Sequence, residues 1–298
     1  ARAPGARDAV EDIVSVTLSV IEQVESADLP AESTETWTAY QCYLKAKRLI
    51  ATSTEINYMD LAQPLLERAV ELNPSFSPPY SYLIGSYNSG RKITTPGTCR
   101  AQGVQDALAL CQKFLVNDAT SPNANLSMAW CLLRMKKYDD AAQYLERAVE
   151  YGLYDPNRLN AVGTAFVYLG DADRGLEFYD IAKRRMIHNL DFLSTDYGEA
   201  HYFKRDFDKA FSYLDIEELR NPVRSRFLKC ATFGQMGRLV QARSSAEEAL
   251  AVFKDRWTGD EPFSPKRAVS WYLAGFPLRR TEDRENLVQG LAKAGFVL

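Results

Sequence analysis

"YDDAAQYLERAVEYGLYDP", Tyr138–Pro156, contains a hexapeptide that the chain uses twice. Leu145–Glu150 repeats Leu66–Glu71, which lies inside "DLAQPLLERAVELNP", Asp60–Pro74. Both copies place a small residue, a leucine and a second small residue at offsets of four and three. These are Ala62, Leu66 and Ala69 in one copy, and Ala141, Leu145 and Ala148 in the other. That spacing puts the three side chains on one face of a helix. The alanines leave room for a second helix to come close.

The same comb recurs along the chain as Ala107–Cys111–Phe114, Gly175–Tyr179–Ala182, Ala210–Leu214–Glu217 and Ala242–Ala246–Ala249. The leading residues fall at 62, 107, 141, 175, 210 and 242, at intervals of 45, 34, 34, 35 and 32. A fixed period of this length marks a repeat architecture. Each later comb follows another helical pattern, such as Tyr80, Leu83, Ile84 and Tyr87, or Leu159, Val162, Gly163 and Phe166. Short turns such as "RMKKYDD", "GDADR" and "KRDFD" join the two. Pro122 and Pro156 open helices, where a fixed φ and a missing N–H cost nothing. Gly175 and Glu217 depart from the comb, which predicts looser packing in the fourth and fifth repeats.

The 34-residue period, the paired helices and the comb of small and aromatic residues resemble the tetratricopeptide repeat (TPR) family. The resemblance implies an all-α, right-handed superhelix of about six to seven helix pairs. The first helix of each pair would line a concave groove. The chain then divides into an N-terminal linker and amphipathic capping helix (1–36), the array (37–257) and a degenerate C-terminal helix pair (258–298). In the cap, Val10, Ile13, Val14, Leu18, Ile21 and Val24 form the stripe expected to dock on the first repeat, with a homodimer seam as the alternative. An amphipathic helix followed by "TAYQCYLKAKRLIATST" and an array ending in "LVQGLAKAGF" is also similar to the C-terminal regions of certain bacterial signalling proteins. Those proteins carry a class III adenylyl cyclase-like domain or an OmpR-type winged helix upstream. This implies a cytoplasmic sensory or interaction module.

Composition narrows the function. The net charge is −3 and the pI is near 5.6. A surface that grips nucleic acid electrostatically is normally basic, so no direct nucleic-acid contact is expected. No apolar run approaches the ~20 residues that cross a bilayer. The five cysteines form no CxxC, and the two histidines, His188 and His201, have no metal-ligand spacing. There is no phosphate-binding glycine loop. The chain reads as non-catalytic, with no metal and no cofactor.

Projection on the TPR pattern assigns the groove. The third repeat contributes Leu126, Trp130 and Arg134, and the fourth Asn160, Thr164 and Tyr168. The fifth contributes Phe192, Glu199, Tyr202 and Phe203, and the sixth Phe227. Rigid aromatic anchors of this kind suit a protein or peptide partner, including an effector domain of the same protein. A small molecule held by Trp130, Asn160, Tyr168 and Tyr202 is the alternative. The two hexapeptides start 79 residues apart, which is two periods of 34 plus 11. The surplus is expected as a loop, Gly90–Gly103, in the second repeat. There Arg91, Lys92 and Arg100 surround Cys99 with positive charge, which predicts an exposed, reactive thiol.

Overall fold

The computed structural model describes residues 6–27, 36–52, 58–89, 98–186, 193–216, 222–257 and 261–297. Among them are fifteen α-helices and no strand. Helix α1 (Ala6–Ala27) precedes six helix pairs. These are α2 (Ala39–Thr52) with α3 (Tyr58–Leu72), α4 (Pro78–Ser89) with α5 (Thr98–Asn117), and α6 (Pro122–Arg134) with α7 (Tyr138–Tyr151). They continue as α8 (Pro156–Leu169) with α9 (Ala172–Arg185), α10 (Ser194–Phe203) with α11 (Phe207–Leu214), and α12 (Pro222–Gln235) with α13 (Leu239–Asp255). Helices α14 (Pro265–Ala274) and α15 (Thr281–Lys293) close the chain. The described residues form two compact bodies, one up to Arg158 and one from Leu159 onward.

The repeat is visible in the backbone as well as in the sequence. Lys136, Gly170, Arg205 and Gly237 all have positive φ, at 60°, 93°, 66° and 74°. Each follows the first helix of its pair. In each turn the N–H of the residue immediately after the positive-φ one reaches back five residues: Lys137 to Leu132 O, Asp171 to Phe166 O, Asp206 to His201 O, and Arg238 to Phe233 O, at 2.9–3.0 Å. This is a Schellman-type closure, which needs one left-handed residue. Glycine meets that need freely in two repeats, while lysine and arginine meet it at some steric cost in the other two. Asp171 and Asp206 then cap the second helix by accepting from Arg174 N (3.1 Å) and Lys209 N (3.4 Å).

The comb is the core. Every described comb residue is buried, from Ala62 to Ala249. Glu217 lies outside the described residues. Gly175 does not loosen the fourth repeat. A Cβ on it would sit 2.8 Å from Gly163 O, and a Cβ on Gly163 would sit 2.8 Å from Gly175 O and 2.5 Å from the Tyr179 ring. The two glycines let α8 and α9 touch backbone to backbone, and Tyr179 fills the space beside them. Its hydroxyl hydrogen-bonds Thr164 Oγ1 at 3.0 Å.

The surplus of the second repeat differs from the expected loop. Residues 90–97 lie outside the described residues, but the backbone of Thr98–Gly103 is helical and opens the 20-residue α5. Cys99 therefore sits in a first helical turn, and its side chain lies outside the described set, as do those of Arg91, Lys92 and Arg100. The other four cysteines are buried free thiols. Cys111 and Cys131 bring their sulfurs to 3.5 Å across α5 and α6, and that contact together with burial pushes the Cys111 thiol up.

Helix α1 packs on α2 with its polar side. Ser15 Oγ donates to Tyr154 O (2.6 Å), Glu22 pairs with Lys47, Glu25 accepts from Tyr40 Oη (2.5 Å), and Arg48 donates to Ser26 O (2.9 Å). The apolar stripe expected to face the array points to solvent instead. Val10, Ile13, Val14, Leu18, Ile21 and Val24 are all exposed. Polar anchoring sets this orientation. These bonds hold the hydrophilic face, among them that of the Lys47 ammonium, which Asp155 also approaches at 3.4 Å.

Candidate functional site

In the second body the first-helix face is built from α8, α10 and α12. Helix α10 decides its character, because all ten of its residues are buried although half are polar or charged. A helix buried on every side must have each polar group answered. Asp196 and Glu199, three residues apart, point at one guanidinium. Arg224 Nε and Nη2 donate to Glu199 Oε2 at 2.8 and 2.5 Å, and Nη1 donates to Asp196 Oδ1 at 2.9 Å. Asn160 Nδ2 donates to the other Asp196 oxygen at 3.3 Å. Nη2 lies 3.5 Å from Tyr168 Oη. Burial raises the Glu199 pKa against the pull of Arg224, and, against the lowering effect of burial, Glu199, Tyr168 and Asp196 hold Arg224 well above its ordinary value. The guanidinium therefore stays charged.

His201, on the same helix, stacks on Tyr213 at 5.6 Å with 5° between the rings, and its Nδ1 lies 3.6 Å from Asp206 Oδ2. Burial lowers its pKa below the usual 6.5, and the Lys209 and Lys204 ammoniums act in the same direction. An unfolded chain takes up this proton near pH 6.5, and the fold resists it. His201 thus contributes its full stability above pH 6.5 and loses it as pH falls toward the lower folded value. Thermal melts from about pH 7.5 to 5.5 should show a downward slope that His201→Gln reduces. An unchanged slope in the variant would exclude the histidine as its source.

The aromatic groove residues of this body do not stand open. Tyr168, Tyr202, Phe203 and Phe227 are all buried, and the chain's own C-terminal segment covers them. Phe276 meets Tyr168 and Phe203 edge-on at 5.8 and 6.2 Å. Tyr272 and Phe296 stack on Phe227 at 4.8 and 5.3 Å. Arg279 N donates to Tyr168 O (2.9 Å). Tyr202 Oη and Gln235 Nε2 both donate to Asn286 O, at 3.0 and 2.7 Å. Arg205 pairs with Asp283 at 3.0 Å and donates to Glu282 O at 3.0 Å.

Helix α15 thus packs on α12, the first helix of the sixth pair. Glycine makes this possible. A Cβ on Gly290 would lie 2.6 Å from Ala231 O and 2.7 Å from Tyr202 Oη, and Gly234 faces Gly290 across the crossing. The two helices meet here backbone to backbone, with the Tyr202 hydroxyl beside them.

The remaining groove residues fall as follows. Glu199 is fully buried and belongs to the ion cluster, not to an exposed wall. Thr164 is buried against Tyr179, and Asn160 serves Asp196. Phe192 lies outside the described residues, as does His188. Leu126, Trp130 and Arg134 belong to the first body. Leu126 is buried, and the Arg134 guanidinium lies 5.8 Å from the Trp130 ring centre. Asp196 was missed in the sequence, although two acids three apart on a helix without other charges give a legible signal. In the second body a cleft of about 290 Å³ is lined by Arg205, Asp206, Phe207, Asp208, Met236 and Arg238. None of the four residues proposed for a small molecule lines it. Among the described residues no cluster of His, Cys, Asp and Glu could hold a metal ion, and no helix is long and apolar enough to cross a membrane.

No family model and no curated protein matches this chain. Solved structures do. A chain of the APC/C hetero-tetramer Cut9–Hcn1 matches with a TM-score of 0.53 at 13% identity, covering 88% of this chain and 46% of that one. YrrB, described as a TPR protein with an unusual peptide-binding site, is 17% identical over 63% of this chain and 91% of its own, with a TM-score of 0.40. A TPR protein from Parabacteroides merdae is 12% identical over 86% of this chain and 99% of its own, with a TM-score of 0.44. At 13% identity the likeness to the Cut9–Hcn1 chain speaks for the fold alone. Together with the helix pairs, their period and their repeated turns, it makes the chain an all-α TPR solenoid.

Proposed function

We propose that the chain is a non-catalytic interaction module whose first-helix face in the second body takes an apolar helical segment of a protein. The observation that carries this reading is the face's present occupant. Helix α15 lies on it with Gly290 against Ala231 and Tyr202, its Leu287 and Leu291 buried, and Phe296 just beyond the helix stacked on Phe227, as a docked helical peptide would. A partner of the same chemistry would compete with α15 and Phe296 for Tyr202 and Phe227. The likeness to a chain of a hetero-tetramer agrees with a protein partner. In this reading the module works in the cytoplasm, in a bacterial signalling or transcription regulator of the kind the sequence resembles. Its partner is then a separate protein or the regulator's own effector domain. The small-molecule alternative rests on the charged cleft beside Arg205 and Arg238.

Exchange with a partner requires α15 to leave without global unfolding. Hydrogen exchange is expected to show α15 amides opening at lower free energy than those of α12. Exchange of both helices in one step with global unfolding would make α15 permanent core and end this reading.

A further inference from the structure

The exposed face of α1 repeats every seven residues. Val10, Thr17 and Val24 occupy one heptad position, Ile13 and Val20 a second, and Val14 and Ile21 a third. All seven are exposed, Ile13 at 66%, Val10 at 60% and Val24 at 56%. Taking Val10 as position a, these are the a, d and e positions of a coiled-coil seam. The side that faces the first body carries Ser15 and Glu22, both at position f, on the opposite side of the helix. The seam therefore stands clear of the described bonds of Ser15, Glu22, Glu25 and Ser26 that hold α1 in place. It runs from Val10 to Val24, ~21 Å at the helical rise.

We propose that this seam pairs with α1 of a second copy of the chain. Its charge pattern selects that occupant. The a, d and e positions carry no charge, and Val16 at g adds none, so like copies meet without repulsion. The acids Glu11, Asp12, Glu22 and Glu25 lie at b, c and f. An anionic membrane surface is the other usual taker of an amphipathic helix, and it wants Lys and Arg on the polar side. Helix α1 has five acids, from Asp8 to Glu25, against the single Arg7. The seven-residue period, with exposed Leu18 at b beside it, also fits a helix partner, since it keeps a seam in register along two helices.

The test is the mass of the full chain by sedimentation equilibrium across the micromolar range. The expected result is twice 33.6 kDa at the upper end, dissociating on dilution. Ile13→Glu with Val20→Glu places acids at both d positions and should return the chain to a monomer with unchanged far-UV circular dichroism. Val116→Glu and Val240→Glu, at exposed sites elsewhere, should leave the dimer intact. Thr17 is the midpoint of the seam, so it meets its own copy in parallel and in antiparallel pairing. Thr17→Cys is therefore expected to give a disulfide-linked dimer on mild oxidation, and Val240→Cys is not. A monomer at all concentrations, a trimer, or a dimer that survives the d-position pair would overturn the proposal.

Discussion

Arg224→Met should cost the second body about 3–5 kcal/mol, the range for removing one partner of a buried ion pair. The arginine side chain keeps a quarter of its surface, but its partners are closed off, Glu199 completely. Without the guanidinium, two carboxylates three residues apart remain inside the protein. Glu199, already raised by burial, would rise further, so the penalty should shrink as the medium is acidified and the glutamate takes a proton. Removing the charge directly should act in the same way. Glu199→Gln in the Arg224→Met background is expected to recover part of the loss, giving a coupling of about 0.5–3 kcal/mol in a double-mutant cycle. Denaturant melts of the four chains measure it. Strict additivity would mean that the three groups do not form one cluster.

Gly290→Val acts on the opposite side of the same face. Its new side chain would enter the space held by Ala231 O and Tyr202 Oη. Neither a backbone carbonyl nor a hydroxyl anchored on Asn286 O can give way as a flexible side-chain tip can. The expected cost is about 3 kcal/mol, the upper part of the range for overpacking. Because the strain is confined to the α12–α15 crossing, the lowest-energy response is for α15 to lift off. The variant should then bind a hydrophobic dye through the newly exposed Tyr202 and the side of Phe227 that Phe296 covers. It should also become sensitive to proteases between Phe276 and Phe296, while α10–α13 remain helical. A Gly290→Ala chain is the milder test and should fall between the two.

The helix pairs are legible in the sequence because a comb at four-and-three spacing has only one way to bury itself. Ala141, Leu145 and Ala148 show this in their complete burial. The left-handed turn position is less legible, since Lys136 and Arg205 occupy it as well as two glycines. Gly175 reads as a defect when seen alone. Its role needs Gly163, which lies on another helix, and helix-to-helix backbone contact leaves no trace in periodicity. The orientation of α1 is hidden for a related reason. An apolar stripe states that it has a partner, but the bonds of Ser15, Glu22 and Glu25 decide which side meets the first body.

The C-terminal return is the largest such case. Leu287 and Leu291 give α15 an apolar face that would suit α14 as well as α12. The choice rests on Gly234, Gly290 and Ala231 meeting at one crossing, and on Arg205 and Tyr202 reaching Asp283 and Asn286 O. Those are tertiary coincidences between residues 51 or more positions apart. Projection on the repeat pattern names Tyr168, Tyr202 and Phe227 as one face. It carries no information on what already covers them.

The most direct measurement uses a labelled peptide spanning Arg280–Phe296 and the full chain in two forms, read by fluorescence anisotropy. In the wild type the tethered copy of α15 competes at high effective concentration, so the peptide should not bind. The Gly290→Val chain, with its own α15 displaced, should bind the peptide saturably, and Phe227→Ala added to that chain should weaken the binding. Failure of the folded Gly290→Val chain to bind, or equal binding by both forms, would contradict a face that accepts one helix at a time.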